Sequence, residues 1–469
     1  MQNVLNLAPD TVFTNYQEIP VVTTPYDLVP DEVLLSQEHY ESEVRSYPRR
    51  IPIAIKTTRG VIVEDTKGQT YVDCLAGAGA LPLGYNHSEI NQVMITQLNE
   101  GVPYQTLDLT TPTKDAFIKA VMQFLPANFA KTARIQFCGP SGADAVEASI
   151  KLAKLVTKRN TMASFHGAYH GMTNGALALT GSLSAKERRT GLMSDVHFFP
   201  FPYSYRCSFG LGGEEGAAQS IRYIESVLCD DESGITKPAA IIVEPIQGEG
   251  GVIPAPAKWL QELRRITTEH GILLIFDEIQ CGVGRSGDNF GFEYAGIEPD
   301  ILVLSKAIGG GMPMSLILYH EKFDSWNAGE HTGTFRGNQL AMASGAKTLE
   351  IIKRDNLTEN ARLRGEQLRN GFITLQQQYP QIGDIRGRGL MKAIEIITPE
   401  VTNSLGQAEA DPDLASAIQR AALEQGLIIE KGGRKGAVLR FLPPLIISEV
   451  QIEFVIATIA NAIASALDN

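Results

Sequence analysis

Short apolar runs in this chain repeatedly end in reactive residues, as buried strands do where they deliver side chains to a ligand. Residues 239–243 lead into Glu244-Pro245, 272–276 into Asp277-Glu278, and 301–304 into Ser305-Lys306. A fourth run, 133–138, leads into Gly139-Pro140-Ser141-Gly142-Ala143 and then a helical pattern. Taken singly, each has a commoner reading: an acid after a strand is usually a cap, a lysine there usually faces water, and few Gly/Ser turns bind anions. Jointly they fit one chemistry. A lysine at the mouth of a sheet can form a Schiff base with an aldehyde cofactor, an acid can keep a pyridine nitrogen protonated, and a helix N-terminus can receive a phosphate. Those are the requirements of pyridoxal 5′-phosphate, with Lys306, Asp277 and Ser141-Gly142-Ala143 as the residues that meet them. No metal site is expected. His166 and His170 have the i, i+4 spacing of a zinc pair, but Gly167 and Gly171 oppose a helix there, and the five cysteines form no CxxC pair.

The elements that position these residues follow from the hydrophobic rhythm. Residues 133–138, 162–165, 239–243, 272–276 and 301–304 are apolar runs, with helical patterns between several of them, as at 141–156 and 257–270. Strands buried on both faces and separated by helices make a mostly parallel sheet, hence an α/β fold. Beyond about residue 345 the pattern shifts to long amphipathic helices (346–354, 358–378) and short strands, expected to form a smaller α+β domain. The division expected is an N-terminal arm over 1–48, an N-terminal part of the small domain over 49–95, a large domain over 96–345 and a C-terminal small domain over 346–469. The arm is proline-rich and reads as extended, leaning on something else, such as a second subunit. Between 52 and 73, two strand-like stretches flank Asp65-Thr66-Lys67-Gly68, a hairpin turn.

Composition narrows the function classes. The 469 residues carry 41 Lys+Arg against 53 Asp+Glu, a formal net charge of −12, which argues against nucleic acid or an anionic membrane as partner. No uninterrupted apolar run reaches the ~20 residues of a membrane span. The first 44 residues lack Lys and Arg, unlike a secretory or mitochondrial leader, so a cytoplasmic protein is expected.

Several ordered segments resemble the class III (ω-amino acid type) aminotransferases. They are Ile275-Phe276-Asp277-Glu278-Ile279-Gln280 with Gly282 and Gly284-Arg285, and Leu304-Ser305-Lys306-Ala307-Ile308-Gly309-Gly310-Gly311. Ser141-Gly142-Ala143-Asp144-Ala145-Val146-Glu147, Tyr169-His170-Gly171, the stretch from Glu244 to Gly251, and Gly333-Thr334-Phe335-Arg336-Gly337-Asn338 also match. The likeness extends from about residue 45 to the C-terminus. It implies the type I fold of PLP-dependent transferases and a homodimer with active sites at its interface. It also implies roles: Lys306 as Schiff-base lysine and acid/base, Asp277 at the pyridine nitrogen, and Gly142 and Ala143, beside Ser141, at the phosphate. Tyr169 stacks on the ring with His170 beside it, Gln280 approaches the 3-oxygen, and Ile279 packs on the opposite face. Glu244 completes this cofactor set, and Thr334 reaches the phosphate of the neighbouring subunit's cofactor.

For substrates, amino acids and 2-oxo acids, Arg440 resembles the family's α-carboxylate clamp and Glu249 its gate, neutralising Arg440 when the donor presents a terminal amine. Met172 stands directly after Tyr-His-Gly, where members acting on 4-aminobutyrate carry arginine. Together with residues 43–49, 74–79 and 165–173, this resembles the diaminobutyrate branch. That branch exchanges the 4-amino group of L-2,4-diaminobutyrate with 2-oxoglutarate, reversibly and by a ping-pong route, in the type paired with 1,3-diaminopropane synthesis. Ornithine, 4-aminobutyrate, acetylornithine and ectoine-pathway relatives remain open at this stage, as do an aminomutase and a PLP-free binding protein.

Overall fold

The computed structural model describes residues 18–468. Its centre is a seven-stranded sheet in the order Ala133–Phe137, Leu316–His320, Ile301–Leu304, Leu273–Asp277, Ala240–Val243, Met162–Phe165, Val196–Phe199. All neighbours are parallel except Leu316–His320, which runs antiparallel to both of its own. Alternate residues of one strand enter different cores: Leu274 and Phe276 pack on one side, Leu273 and Ile275 on the other. Both faces are therefore covered, the condition under which a strand reads as a continuous apolar run. The five expected strands are all present. Val196–Phe199 and Leu316–His320 were not anticipated.

Register aligns the carboxyl ends. Asp277 pairs with Val303 and Phe276 with Val243, so Glu244, Asp277 and Lys306 leave the sheet at one edge. The helix Gly142–Thr157 starts at the same edge. Ser141 caps it, its hydroxyl accepting from Ala143 N–H, and a wide buried face from Ala145 to Ala153 packs on the strands Ile301–Leu304 and Leu316–His320.

The smaller unit has two sheets. One runs Ile382–Arg388, Met391–Thr402, Val438–Phe441, Glu430–Gly432, with Ala408–Ala410 paired to its second strand. The other joins Ile55–Arg59, Ile62–Asp65 and Thr70–Asp73 to Leu427–Ile428, through Leu427 beside Val72, so segments far apart in sequence share one sheet. The expected hairpin turn is built on Asp65, whose carboxylate accepts from Lys67 and Gln69 N–H, with Gly68 at φ 81°. The expected boundary at 345/346 falls inside one continuous helix, Gln339–Arg354, which packs on Pro112–Phe124 of the large unit.

The first 17 residues of the expected arm lie outside the described residues. The remainder is not simply extended, because Glu32–Tyr40 is a helix capped by Asp31. It docks on its own chain: the Tyr26 hydroxyl donates to Thr70 O at 3.1 Å, and Lys67 Nζ donates to Asp27 O and Val29 O. One described helix, Glu449–Asp468, is long and apolar enough to cross a membrane, a length the uninterrupted-run test had passed over. Here its Ile452, Val455, Ile459 and Ile463 join the core, and it packs on Leu357–Gln378 and Pro412–Glu424.

Candidate active site

A cavity of about 420 Å³ opens at the carboxyl edge of the large sheet. Ser141, Gly142, Ala143, Tyr169, His170, Glu244, Glu249, Asp277, Ile279, Gln280 and Lys306 all line it, so eleven of the thirteen expected site residues meet there. A larger groove of about 860 Å³ lies among Ser88–Asn99, Pro112–Phe124 and Gln339–Arg354, away from the reactive strand ends.

Asp277 forms the floor. It is 3% exposed, its Oδ2 lies 2.8 Å from His170 Nδ1, and its Oδ1 accepts from Ile279 N–H at 3.1 Å. His170 is buried as well. Its backbone N–H donates to Thr180 Oγ1 at 3.0 Å, while its Nε2 is buried without a partner. Beside this pair Glu244 accepts from Tyr169 N–H at 3.0 Å and Gly248 N–H at 2.9 Å. Burial, reinforced by the charge of Asp277, outweighs those donors and His170 and pushes the Glu244 carboxyl up to about 7.

That rise has a stability consequence. The folded apoprotein holds the Glu244 proton more tightly than the unfolded chain does, so this contribution is complete below about pH 4.5 and is lost as pH rises to about 7. Glu244→Gln removes the titration, and the decline of apoprotein Tm between pH 5 and 8 will be shallower than in the parent. Thermal scans of both proteins across that range check it; parallel curves would reject the assignment.

Lys306 enters from the end of Ile301–Leu304, at φ 49°. A non-glycine residue in the left-handed region is strained by about 1–3 kcal/mol and persists only where its surroundings hold it. Here Ser305 Oγ donates to Met314 O at 2.8 Å just before it, and Gly310 at φ 61° sits so close to Ser344 and Thr348 that a Cβ would lie 2.5 and 2.4 Å from their hydroxyls. Desolvation lowers the Lys306 amine from its ordinary value, while Glu249 and Asp277 oppose the drop. The backbone of Gly142 approaches closely too, because a Cβ there would lie 2.8 Å from Ile279 Cδ1.

Arg440 and Glu249 form a two-pronged ion pair, Nη1–Oε1 2.9 Å and Nη2–Oε2 3.0 Å. The Arg440 side chain is 2% exposed and that of Glu249 37%, so the guanidinium is the buried member of the pair and the carboxylate the one that reaches solvent. Burial works against ionisation of Glu249, but Arg440 more than offsets it and holds the carboxyl below its usual range. Arg440 itself stands behind Glu249 rather than in the cavity lining. Thr334 is also outside it, exposed at the start of the turn Thr334–Gly337.

Sequence reasoning missed what supports the arginine. Glu430 lies directly across the strand pair from Arg440, with its Oε1 3.9 Å from Arg440 Nη2 and 3.0 Å from Arg50 Nη1. Tyr47 belongs to the same group, and burial, with the charges of Glu430 and Glu249, pushes its hydroxyl up to about 12. The only available signal was the run of residues 43–49, which carries no chemistry until the fold brings Glu430 beside it.

The family pattern described as aminotransferase class-III matches residues 44–463. The chain belongs to the class III aminotransferases. This class III enzyme is 52% identical over 427 residues to a diaminobutyrate–2-oxoglutarate aminotransferase of Rhizobium meliloti (strain 1021), covering 91% of each chain. It is 48% identical over 443 residues to the enzyme of that name from Haemophilus influenzae, covering 93% of this chain and 97% of the relative. Among solved structures, a PLP-bound amine transaminase from an uncultivated Pseudomonas species superposes with a TM-score of 0.82 at 27% identity, covering 91% of this chain and 98% of that one. A Bacillus anthracis aminotransferase gives 0.83 at 26%, covering 92% and 98%. These likenesses establish the PLP type I fold.

The cofactor of this class III aminotransferase is pyridoxal 5′-phosphate, and the residues present fit it. The cavity combines an amine, a buried carboxylate, a helix start without a Cβ at Gly142, and two buried polar atoms without partners, His170 Nε2 and Gln280 Oε1. Such orphaned atoms in a native site call for a ligand.

Proposed function

We propose that this enzyme moves the 4-amino group between L-2,4-diaminobutyrate and 2-oxoglutarate, forming L-aspartate 4-semialdehyde and L-glutamate, in the service of diaminobutyrate and 1,3-diaminopropane formation. The observation that carries the reading is the buried Arg440 masked by Glu249 beside Lys306. A donor reacting through a terminal amine has hydrogen where glutamate has its α-carboxylate. With such a donor Glu249 stays on Arg440, and with glutamate or 2-oxoglutarate it swings aside and the fork of Arg440 takes the carboxylate. The 52% identity to a relative bearing the diaminobutyrate name, and Met172 rather than a cation at the cavity, support diaminobutyrate over 4-aminobutyrate.

Bound at this site, the cofactor supplies the electron sink that lets the C–H bond beside the transferred amine break. The chain does the rest. Lys306 Nζ, made less basic by burial, takes that proton and returns it. Asp277, held by His170 and Ile279 N–H, would present its carboxylate to the ring nitrogen. Gly142 and Ala143, after Ser141, would hold the phosphate, Tyr169 and Ile279 would hold the ring, and Gln280 would meet its 3-oxygen, all six lining the same cavity.

A half-reaction screen of diaminobutyrate, ornithine, lysine and 4-aminobutyrate tests this, followed by product analysis with 2-oxoglutarate. Diaminobutyrate should react fastest, with one glutamate formed per 2-oxoglutarate consumed. A preference for another donor, or turnover without 2-oxoglutarate, rejects it.

The reading extends to a cytoplasmic homodimer. The four buried cysteines are free thiols, in keeping with a reducing compartment. Tyr104, Leu107, Leu109 and Phe335 are exposed together on two segments tied by the Gln105–Asn338 bridge and the Arg336–Asp108 ion pair, next to Thr334. A second copy covering this patch would bring Thr334 to the neighbouring cofactor's phosphate. Phe335→Asp is then expected to shift the sedimentation coefficient toward a monomer and remove activity; an unchanged dimer with full activity would exclude this face.

A further inference from the structure

Behind the Glu249 switch lies a buried charge cluster that the reaction scheme leaves unused. Glu395, on Met391–Thr402, faces Asp384 directly across the antiparallel strand pair. Two carboxylates in that position repel unless a cation lies between them. Arg386 supplies it, its Nη1 standing 2.8 Å from Asp384 Oδ2 and 2.8 Å from Glu395 Oε2. Glu395 is fully buried and Arg386 8% exposed, and Tyr203 and Arg206 of the large unit also bond to Glu395. The cluster therefore joins the two parts of the molecule.

One of the Arg386 donors points out of the cluster. Its Nε donates to Gly251 O at 2.8 Å, two residues beyond Glu249, while Gly433 N–H donates to Glu249 O at 3.2 Å. The loop also packs tightly: a Cβ on Gly251, which sits at φ 118°, would lie 3.0 Å from Arg386 Nη2 and 3.3 Å from Gly433 Cα. Both ends of the 249–251 backbone are thus fastened by residues of the small unit.

We propose that Arg386 is a positioning residue for substrate selection: anchored by Asp384 and Glu395, it pins the backbone behind Glu249 so that the switch is a side-chain movement toward or away from Arg440. The inference rests on the reading of Glu249 as that switch. An unpinned loop holds Glu249 on Arg440 less of the time. The substrate needing the masked arginine, the ω-amine donor, suffers, and the substrate needing the bare arginine does not.

The test measures both half-reactions of holoenzyme carrying Arg386→Met, Arg386→Lys or Glu249→Gln, with diaminobutyrate, or the ω-amine that the donor screen selects, and with 2-oxoglutarate. For Arg386→Met the donor KM should rise roughly tenfold, the loss of one charge-assisted hydrogen bond, with both kcat values and the 2-oxoglutarate KM within about threefold of the parent. Arg386→Lys keeps a cation between the carboxylates and should give the same donor-only rise at roughly threefold, so the inference stays testable if the methionine variant does not fold. Equal losses in both half-reactions would reduce Arg386 to a general support and overturn the proposal, as would unchanged KM values in the folded variants. If Glu249→Gln moves the donor KM and the Arg386 variants do not, only this inference fails. If Glu249→Gln moves nothing, the switch itself is refuted.

Discussion

Replacing Lys306 with alanine is expected to abolish transamination, lowering kcat/KM by about 10⁴-fold or more, because in the proposed mechanism one side chain both binds the cofactor covalently and carries the proton. Lys306 is the only amine in the described cavity lining, and no other cation there can take its place. Its φ of 49° points the same way, since the chain accepts strain to hold this side chain at the sheet edge. Alanine leaves the rest of the cradle intact, so the protein should still retain cofactor through the helix start at Ser141–Ala143 and through Asp277. What it loses is the visible absorbance near ~420 nm that the cofactor acquires through a lysine. Absorbance spectra of the reconstituted variant, recorded beside the half-reactions, separate these effects. A variant keeping that band, or more than about a thousandth of the activity, would remove Lys306 from its role.

How far such roles could be read beforehand depended on how locally they are encoded. Leu273–Asp277 and Ile301–Leu304 were legible because burial on both faces leaves an unbroken apolar run with its chemistry within two residues of where that run stops. Val196–Phe199 was not, since it lies at the edge of the sheet with three of four residues only half-buried. Leu316–His320 escaped for another reason: it returns antiparallel to Ile301–Leu304 with no α-helix between them, only the 3-10 turn Lys306–Gly309, and so breaks the strand–helix alternation. The division at 345/346 failed on packing. Ser344 and Gly345 lie in mid-helix, where a Cβ on Gly345 would meet Ile308 O at 2.3 Å, so the helix belongs against the Lys306 turn and not to the unit that follows. Most of the cavity lining was found because it sits within short segments. The support of Arg440 was hidden, because Arg50 and Glu430 are 380 positions apart and meet only when Leu427–Ile428 joins the N-terminal sheet.

That hidden support bears on the second large effect. Arg440→Met is expected to reduce kcat/KM for 2-oxoglutarate by roughly 10²–10³-fold, the loss of two charge-assisted hydrogen bonds to one carboxylate, while the donor half-reaction falls less than about tenfold. The asymmetry comes from the geometry of the pair. Arg440 is buried between Glu249 and Glu430, whereas the Glu249 side chain is 37% exposed. Once the arginine is gone, Glu249 can turn to water, so the donor meets a site that is still neutral and unobstructed where Arg440 stood. Glu430 keeps its bond to Arg50. The oxo acid has no such alternative, because the described lining offers no Lys or Arg except Lys306, which the proposed mechanism commits to the reaction. Lysine at 440 should not restore the loss, since a single ammonium cannot span both oxygens as the guanidinium does at 2.9 and 3.0 Å. Stopped-flow half-reactions with diaminobutyrate and with 2-oxoglutarate measure the two arms separately. Equal declines in both would mean that Arg440 only stabilises the strand Val438–Phe441, and an unchanged 2-oxoglutarate arm would mean that another residue clamps the oxo acid.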